Sequence, residues 1–129
     1  MVNLTPSIED YLEAIYIIRQ EQKVVRIKHI ANLLNVSLPS VSEATNKIKK
    51  AGLVEKEKYG YIYLTDEGEI LAKEIYAKHK MLLSFLNKIL KVDEKIALEE
   101  ACAIEHYLSN ETIAKLKKFV KKYKKNGGK

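Results

Sequence analysis

The sequence predicts a mainly α-helical chain with a small β-hairpin, divided into an N-terminal part, 1–65, and a C-terminal part, 66–129. Apolar residues recur every three or four positions over most of the chain, which is the period of a helix. One stretch, 53–64, instead alternates like two short strands around Tyr59-Gly60. The chain is 47% hydrophobic and 31% charged, which supplies enough apolar content for one or two small cores.

Composition and charge exclude several classes of protein. No apolar run approaches the roughly 20 residues of a membrane span, and the N-terminus has no signal-peptide pattern. The single cysteine excludes an internal disulfide and fits a reducing cytoplasm. The net charge is +6, but 115–129 holds eight Lys and no acid, so removing those eight charges leaves −2. We expect a cytoplasmic protein without a membrane partner, whose Lys-rich tail is a frayed solvated end; the alternatives for the tail are an ancillary DNA or membrane contact.

The first element is a helix from about Thr5 to Gln20. Thr5-Pro6 suits an N-cap followed by proline, and Ser7-Ile8-Glu9-Asp10 is an alternative capping box. Asp10 and Glu13 lie in line with apolar residues of this helix. The simpler interpretation is that Asp10 caps the helix and Glu13 lies on a solvated edge. The main buried stripe is predicted to be Ile8, Tyr11, Leu12, Ile15 and Ile18.

Two short helices around a tight turn are predicted between Val24 and Val54. Pro39 suits the first turn of the second helix, and Gly52 suits its end. That helix begins with small hydroxyl residues and continues with lysines, which is typical of a helix-turn-helix. The stretch 22–58 holds eight Lys or Arg and three Glu, a net charge of +5. This favours DNA binding over a helical hairpin with a solvated Lys face.

The following hairpin, 53–64, makes the N-terminal part a winged helix-turn-helix, with Lys58 and Tyr59 at the tip of the wing. Thr65-Asp66-Glu67 then caps a long helix to about Leu90. His79 falls on its apolar stripe, where a histidine is usually a core residue. The stripe is predicted to be Leu71, Ile75, Leu82, Leu83, Leu86 and Leu90. Val92-Asp93 begins a helix to Leu108, and Ser109-Asn110-Glu111 begins the last one.

The stretch Glu99-Glu100-Ala101-Cys102-Ala103-Ile104-Glu105-His106 places a carboxylate where a helix should bury aliphatic surface. Its apolar line is predicted to be Leu98, Ala101, Glu105 and Leu108. Cys102, Glu105 and His106 share one face of that helix. A buried carboxylate needs a partner, and a divalent cation is a partner that also recruits Cys and His. The alternative is a core cysteine beside a surface Glu–His pair.

Four landmarks occur in order: S-I-E-D-Y-L-E-A-I-Y, the winged helix, K-H-K, and E-A-C-A-I-E-H-Y-L-S. Together they resemble the diphtheria-toxin-repressor family of metal-dependent transcriptional repressors, from Thr5 to about Phe119. The resemblance implies a repressor that controls metal homeostasis and binds double-stranded operator DNA as a homodimer. It also implies a divalent-metal site between the winged-helix domain, 1–65, and a helical dimerisation domain, 66–129.

The metal ligands that the resemblance implies are Asp10, Glu13, His79, Cys102, Glu105 and His106. Asp10 and Glu13 match the manganese-sensing branch of the family, which lacks an SH3-like third domain, whereas Cys102 matches the iron-sensing branch. Leu83 and Leu98 depart from the polar ligands of the iron branch's ancillary site. Because a thiolate is a soft ligand among hard carboxylates, we expect Fe²⁺ first and Mn²⁺ second. Co²⁺, Ni²⁺ and Zn²⁺ are expected to substitute in vitro.

The predicted DNA surface is the second helix of the helix-turn-helix with its flanks. The resemblance places Ser37, Pro39, Ser40 and Glu43 at or near base edges, while lysines of this helix contact phosphates. Glu43 departs from the amide that is common at its position. The full set of expected DNA contacts is Arg26, Lys28, Ser37, Pro39, Ser40, Ser42, Glu43, Lys47, Lys50, Lys58 and Tyr59.

Two other classes of protein remain open from the sequence. A winged-helix regulator without metal would pair Glu105 and Asp10 with Lys, Arg or backbone groups. A metallo-hydrolase would use a similar ligand set, but no shaped substrate pocket, Gly-rich phosphate loop or convincing nucleophile–base pair is evident. Cys102 and His106 are the pair that could be proposed as nucleophile and base. We therefore expect neither an enzyme nor a small organic ligand. The apolar surplus of Tyr11, Tyr16 and 71–90 predicts a homodimer held by the helices after Thr65 and by the first helix.

Overall fold

The computed structural model describes residues 7–127, which form six α-helices and a three-stranded antiparallel sheet. The predicted fold class, mainly α with a small β wing, is confirmed. The chain divides into two compact units between Ile75 and Tyr76, within the fourth helix. The helices are α1 (Ile8–Glu21), α2 (Ile27–Leu34), α3 (Leu38–Lys50), α4 (Asp66–Ser84), α5 (Glu94–Ile104) and α6 (Asn110–Lys125), and the strands are β1 (Val25–Arg26), β2 (Val54–Lys56) and β3 (Tyr61–Leu64).

The start of α1 is fixed by a capping box. The Ser7 hydroxyl accepts a hydrogen bond from the Asp10 backbone N–H at 3.2 Å, and the Asp10 carboxylate accepts one from the Ser7 N–H at 2.8 Å. This satisfies two backbone donors that have no partner inside the helix. The alternative capping box is thus confirmed, while Thr5-Pro6 lies outside the described residues.

The first unit packs three helices on the sheet around one core. Leu12 and Ile15 of α1 lie there with Ile30, Ile48 and Ile62, all of them buried. Residues of early α4 complete this core, and Gly68 allows their approach because a Cβ at that position would lie 1.9 Å from the Leu53 carbonyl oxygen. The Arg19 guanidinium on α1 donates to Glu69 on α4, and this hydrogen bond lowers the pKa of the Glu69 carboxyl.

The wing contains a strand that the sequence did not predict. β1 pairs with β3 through Val25 and Ile62, and β2 pairs with the other edge of β3 through Val54 and Leu64. The sheet order is therefore β1-β3-β2. A two-residue strand is too short to produce a period in the sequence, so β1 had no signal of its own.

In the second unit, from Tyr76 onward, two α-helices end earlier than the sequence predicted. The α-helical part of α4 ends at Ser84 and continues as a π-helical turn, Phe85–Ile89, in which the Leu90 N–H donates to the Phe85 carbonyl. Leu90 is exposed, so its predicted place on the buried stripe is wrong. α5 ends at Ile104, with Glu105 as its C-cap, and does not reach Leu108. Asp93 and Ser109 cap α5 and α6 as expected.

Within residues 7–127, none of the helices combines the length and the apolar character that crossing a bilayer requires.

Candidate functional site

α3 presents its hydroxyl-rich start to solvent. Ser37 is the N-cap, and its hydroxyl lies 2.8 Å from the Ser40 hydroxyl while accepting the Ser40 N–H at 3.2 Å. Leu38, Pro39 and Ser40 are all exposed, so this end of the helix is accessible to a ligand. Ser37 consequently has a structural role at the N-cap besides its predicted role at the DNA surface.

The later residues of α3 carry exposed charge. Lys47, Lys49 and Lys50 are exposed, and the Lys47 ammonium lies 3.8 Å from the Glu43 carboxylate one helical turn earlier. Such an exposed pair contributes little to stability and leaves both groups able to bind a partner. The opposite face of α3 is buried through Val41, Ala44, Thr45 and Ile48, and the Thr45 hydroxyl donates to the Val41 carbonyl at 2.9 Å.

The wing adds further cationic side chains near α3. Tyr59 is 81% exposed, and Lys58 and Gly60 are exposed beside it; Gly60 has a φ of +85°, which favours glycine. Arg26 on β1 donates to the Tyr61 hydroxyl at 3.0 Å, and its guanidinium lies 5.0 Å from the centre of that ring. The remaining predicted contacts are exposed at Lys28 and half-buried at Ser42.

Sequence reasoning missed the link between the wing and α3. The Lys56 ammonium donates to the Asn46 side-chain oxygen at 2.7 Å. Burial, followed by the nearby charge of Lys49, lowers the pKa of Lys56. Asn46 on the polar face of α3 and Lys56 on β2 were both visible in the sequence, but their contact depends on tertiary packing.

The two acidic candidates of the first unit differ in burial. Asp10 is half-buried and is engaged in the capping box, which confirms its predicted capping role. Glu13 is 7% exposed and lies between buried Leu12 and Ala14, so the expectation of a solvated edge is wrong. A carboxylate in an apolar stripe requires compensation by a partner, because burial of a charge is costly.

In the second unit, Glu105 is fully buried between two imidazoles. Its Oε2 lies 3.4 Å from His79 Nδ1, and its Oε1 lies 3.4 Å from His106 Nε2. Neither oxygen forms a hydrogen bond within the described part of the chain. The alternative of a surface Glu–His pair is therefore wrong. The buried line of α5 is Ala97, Ala101 and Glu105, while Leu98 is 46% exposed, which corrects the predicted line by one position.

Cys102 joins this cluster from the solvent side. Its thiol is exposed, so the interpretation as a core cysteine is wrong, and its Sγ lies 3.7 Å from His79 Nδ1. The cluster thus combines oxygen, nitrogen and sulfur donors on α4, α5 and the turn after α5.

Each of these separations fits a pair of ligands to one cation. Metal–nitrogen and metal–oxygen bonds of roughly 2.0 to 2.2 Å place neighbouring ligand atoms about 3.0 to 3.5 Å apart, and a sulfur ligand lies slightly further away. A bound cation would also coordinate the two Glu105 oxygens, and this would offset the free-energy cost of burying them. His79 and His106 lie beside different oxygens of Glu105, so these side chains, with Cys102 beside His79, suit one or two divalent metal ions.

Both parts of the chain match profiles of one protein family. The iron dependent repressor N-terminal DNA binding domain matches residues 3–62. The iron dependent repressor metal binding and dimerisation domain matches residues 65–127.

Individual relatives agree with these matches. An HTH-type transcriptional regulator of Methanocaldococcus jannaschii is 42% identical over 122 residues, which covers 94% of this chain and 98% of that protein. The regulator MntR of Shouchella clausii is 33% identical over 122 residues, covering 95% of this chain and 85% of MntR. The structure of the manganese regulator SloR has a TM-score of 0.81 and 36% identity, and it covers 92% of this chain.

The present chain spans 55% of the SloR chain, so it corresponds to part of that longer protein. Its two matched segments account for the winged helix-turn-helix and for the helices that carry the metal-binding cluster. The chain belongs to the iron-dependent repressor family, and it is a metal-dependent, DNA-binding transcriptional regulator with a dimerisation domain.

Proposed function

We propose that binding of a divalent cation activates this regulator for binding to operator DNA as a homodimer. The observation that carries the proposal is the buried Glu105 carboxylate, which lies between two imidazoles without a hydrogen bond among the described residues. A regulator without a metal would require Lys, Arg or backbone donors around this carboxylate. Glu105 has neighbours that are themselves metal ligands in proteins.

The proposed ligands are the six residues that the sequence suggested: Asp10, Glu13, His79, Cys102, Glu105 and His106. In the second unit, the support is the short distance from Glu105 to each of His79 and His106 and from Cys102 to His79. Glu13 is supported by its burial on α1, and Asp10 lies one helical turn before it.

The ligand set explains how metal could control DNA binding. α1 packs on α2 and α3 in the core of the first unit, so a constraint on Asp10 or Glu13 of α1 would also act on α3, the proposed DNA-reading helix. Shared ligands would therefore couple metal binding to the separation of the two α3 helices of a dimer. That separation must match half-sites about 34 Å, or a multiple of it, apart. Metal that favours the matching state shifts the population towards it.

The proposed metal is Fe²⁺ first and Mn²⁺ second. Carboxylates suit both ions, and imidazoles suit Fe²⁺, Co²⁺, Ni²⁺ and Zn²⁺. The position of Cys102 Sγ beside His79 supports a thiolate ligand, which favours Fe²⁺ over Mn²⁺. Zn²⁺ prefers four ligands, whereas this set offers more.

Exposed apolar side chains of the second unit support its role in dimerisation. Leu90, Ile96, Leu98 and Tyr107 are exposed, and Phe85, Leu116 and Phe119 contribute to a groove of about 390 Å³. Tyr11, which the sequence assigned to the dimer surface, instead lies in the core of the first unit. We therefore place the dimer surface on the second unit.

Operator binding across a panel of metals tests the proposal. A DNA duplex would be selected from a randomised pool with the metal-loaded protein, and its affinity measured by fluorescence anisotropy with Fe²⁺, Mn²⁺, Co²⁺, Ni²⁺ and Zn²⁺. The expected result is a tightening of about 5- to 150-fold with metal, reversed by a chelator. If the affinity for this duplex changes with neither metal nor chelator, the result would support a winged-helix regulator that does not require metal.

Two substitutions on α3 test the proposed DNA surface. Ser40→Ala is expected to change sequence preference, because it removes an exposed hydroxyl at the helix start while keeping the backbone N–H that Ser37 caps. Lys47→Ala is expected to weaken all sequences alike and to reduce the slope of log affinity against log salt by about 1. Unchanged binding by both variants would place the surface elsewhere. Glu74→Ala, at an exposed position of α4, serves as the control.

A further inference from the structure

α6 exposes a continuous face of lysines. The lysines occupy a regular helix up to Lys125 and not the frayed end that the sequence predicted. Ile113, Leu116, Val120 and Tyr123 form the inward stripe of this helix at steps of three or four residues, and they are buried or half-buried. The rest of the helix surface carries exposed lysines: Lys118, Lys121, Lys122 and Lys125 lie opposite the stripe, and Lys117 and Lys124 lie beside it.

This face has almost no counter-charge of its own. The single acid of α6 is Glu111, whose carboxylate lies 3.5 Å from the Lys115 ammonium at the first turn. Lys117 and Lys121 are four residues apart, as are Lys118 and Lys122, so these like charges repel each other along the helix. The helix dipole compensates lysines of the last turn, but it does not reach Lys117, Lys118 and Lys121. A polyanion would relieve this repulsion.

Duplex DNA fits the face better than a membrane does. Helices that bind membranes direct an apolar face at the lipid, whereas the apolar stripe of α6 faces its own unit and Val120 is buried. Phe119 is an exposed large apolar residue of α6, and its ring contacts those of Phe85 and Tyr123. DNA requires only cationic groups along its phosphates, which carry one charge per about 1.7 Å of axis. The winged helix of the same chain already brings a duplex to high local concentration.

We propose that the lysine face of α6 is a second, sequence-independent contact for the phosphates of duplex DNA. The inference rests on DNA binding by this family and adds a surface in the second unit, apart from α3 and the wing. Its contribution is affinity and salt dependence, without readout of base sequence.

A charge-matched pair of triple variants tests this surface. The first variant carries Lys118→Gln, Lys121→Gln and Lys125→Gln on the α6 face. The control carries Lys73→Gln, Lys88→Gln and Lys95→Gln, which removes the same charge from exposed positions outside α6. Affinity for a random-sequence duplex and for the selected operator would be measured with saturating Mn²⁺ over a range of KCl concentrations, after circular dichroism has shown equal helix content.

In the α6 variant, the slope of log affinity against log salt is expected to be shallower by about 2 to 3, because each phosphate contact contributes about −0.9 to that slope. It should weaken binding to both duplexes alike, and the control should change the slope by less than 1. Equal slopes for the two variants would overturn the inference. If, with equal slopes, the α6 variant alone no longer sedimented with phosphatidylserine vesicles, the face would be a membrane contact. Metal dependence is read separately, from the wild type with and without chelator, so failure of the metal proposal would leave the comparison of slopes intact.

Discussion

Replacing Glu105 by Gln is expected to abolish metal activation of DNA binding while leaving the apoprotein at least as stable as the wild type. The carboxylate is fully buried, and neither of its oxygens forms a hydrogen bond among the described residues. Exchanging it for a neutral amide of nearly the same shape removes a buried charge without leaving a cavity. The free energy of unfolding in the presence of chelator should therefore stay the same or rise by about 1 to 3 kcal/mol.

Metal affinity should change in the opposite direction. The Glu105 carboxylate lies 3.4 Å from both His79 and His106, so its loss would remove the hard oxygen ligand proposed between the two imidazoles. Loss of a group that only hydrogen-bonds to a metal ligand costs about 10- to 100-fold in metal affinity, and we expect the loss of a ligand itself to cost at least about 100-fold. Isothermal titration with Mn²⁺ and chelator-buffered DNA binding measure this effect.

Glu99→Gln is the matched control, because Glu99 is exposed on the same helix. It should leave metal affinity and operator affinity unchanged. If Glu105→Gln instead unfolds at a much lower temperature in chelator, Glu105 is a structural partner of the histidines. If it unfolds normally and still responds to metal, Glu105 is not a ligand.

Cys102→Glu is expected to shift metal preference from Fe²⁺ towards Mn²⁺. The thiol lies 3.7 Å from His79 Nδ1 and is exposed, so a longer carboxylate can replace it without disturbing a core. A hard oxygen ligand favours Mn²⁺, whereas a thiolate favours Fe²⁺ and Zn²⁺. We expect the metal concentration for half-maximal DNA binding to fall about tenfold for Mn²⁺ and to rise about tenfold for Fe²⁺.

The measurement requires anaerobic titration of operator binding with each ion. Cys102→Ser is the control, since it removes the thiolate without supplying a carboxylate, and it should weaken Fe²⁺ activation without improving that by Mn²⁺. Identical responses of Cys102→Glu and the wild type to both ions would show that Cys102 does not select the metal.

The helices of this fold were predictable wherever a cap and a helical period agree. Ser37, Thr65, Asp93 and Ser109 each precede an apolar-periodic run, and the Thr65 hydroxyl both accepts the Gly68 N–H and donates to the Gly52 carbonyl. Such signals are local, because the cap and the groups it satisfies lie within one helical turn. Helix ends without a cap signal, at Ser84 and Ile104, were predicted too late.

The candidate site was predictable in composition but not in detail. The sequence placed a carboxylate on the buried line of α5, and the structure buries Glu105 fully. The sequence analysis assigned Leu98 to that line, but the structure has Ala97 there. Both residues are apolar and lie three or four positions before Ala101, so the helical period alone does not distinguish them. The burial of Glu13 and the approach of Cys102 to His79 depend on packing between elements distant in sequence. The hydrophobic periodicity of a sequence carries no information about such contacts.

Thermodynamic linkage makes the proposed coupling between metal and DNA testable from the metal side. If metal tightens DNA binding by a given factor, DNA must tighten metal binding by the same factor. Competing explanations lack this property: a metal that merely protects Cys102 from oxidation or prevents aggregation would raise apparent activity without reciprocity.

The most direct test measures Mn²⁺ affinity of the wild-type protein with and without the selected operator duplex, by competition with a chromophoric chelator. The expected result is a Mn²⁺ affinity that increases about 5- to 150-fold on the operator, matching the factor by which Mn²⁺ tightens operator binding in the same buffer. An unchanged Mn²⁺ affinity in the presence of saturating operator would contradict the coupling of the metal centre to the DNA-reading helix.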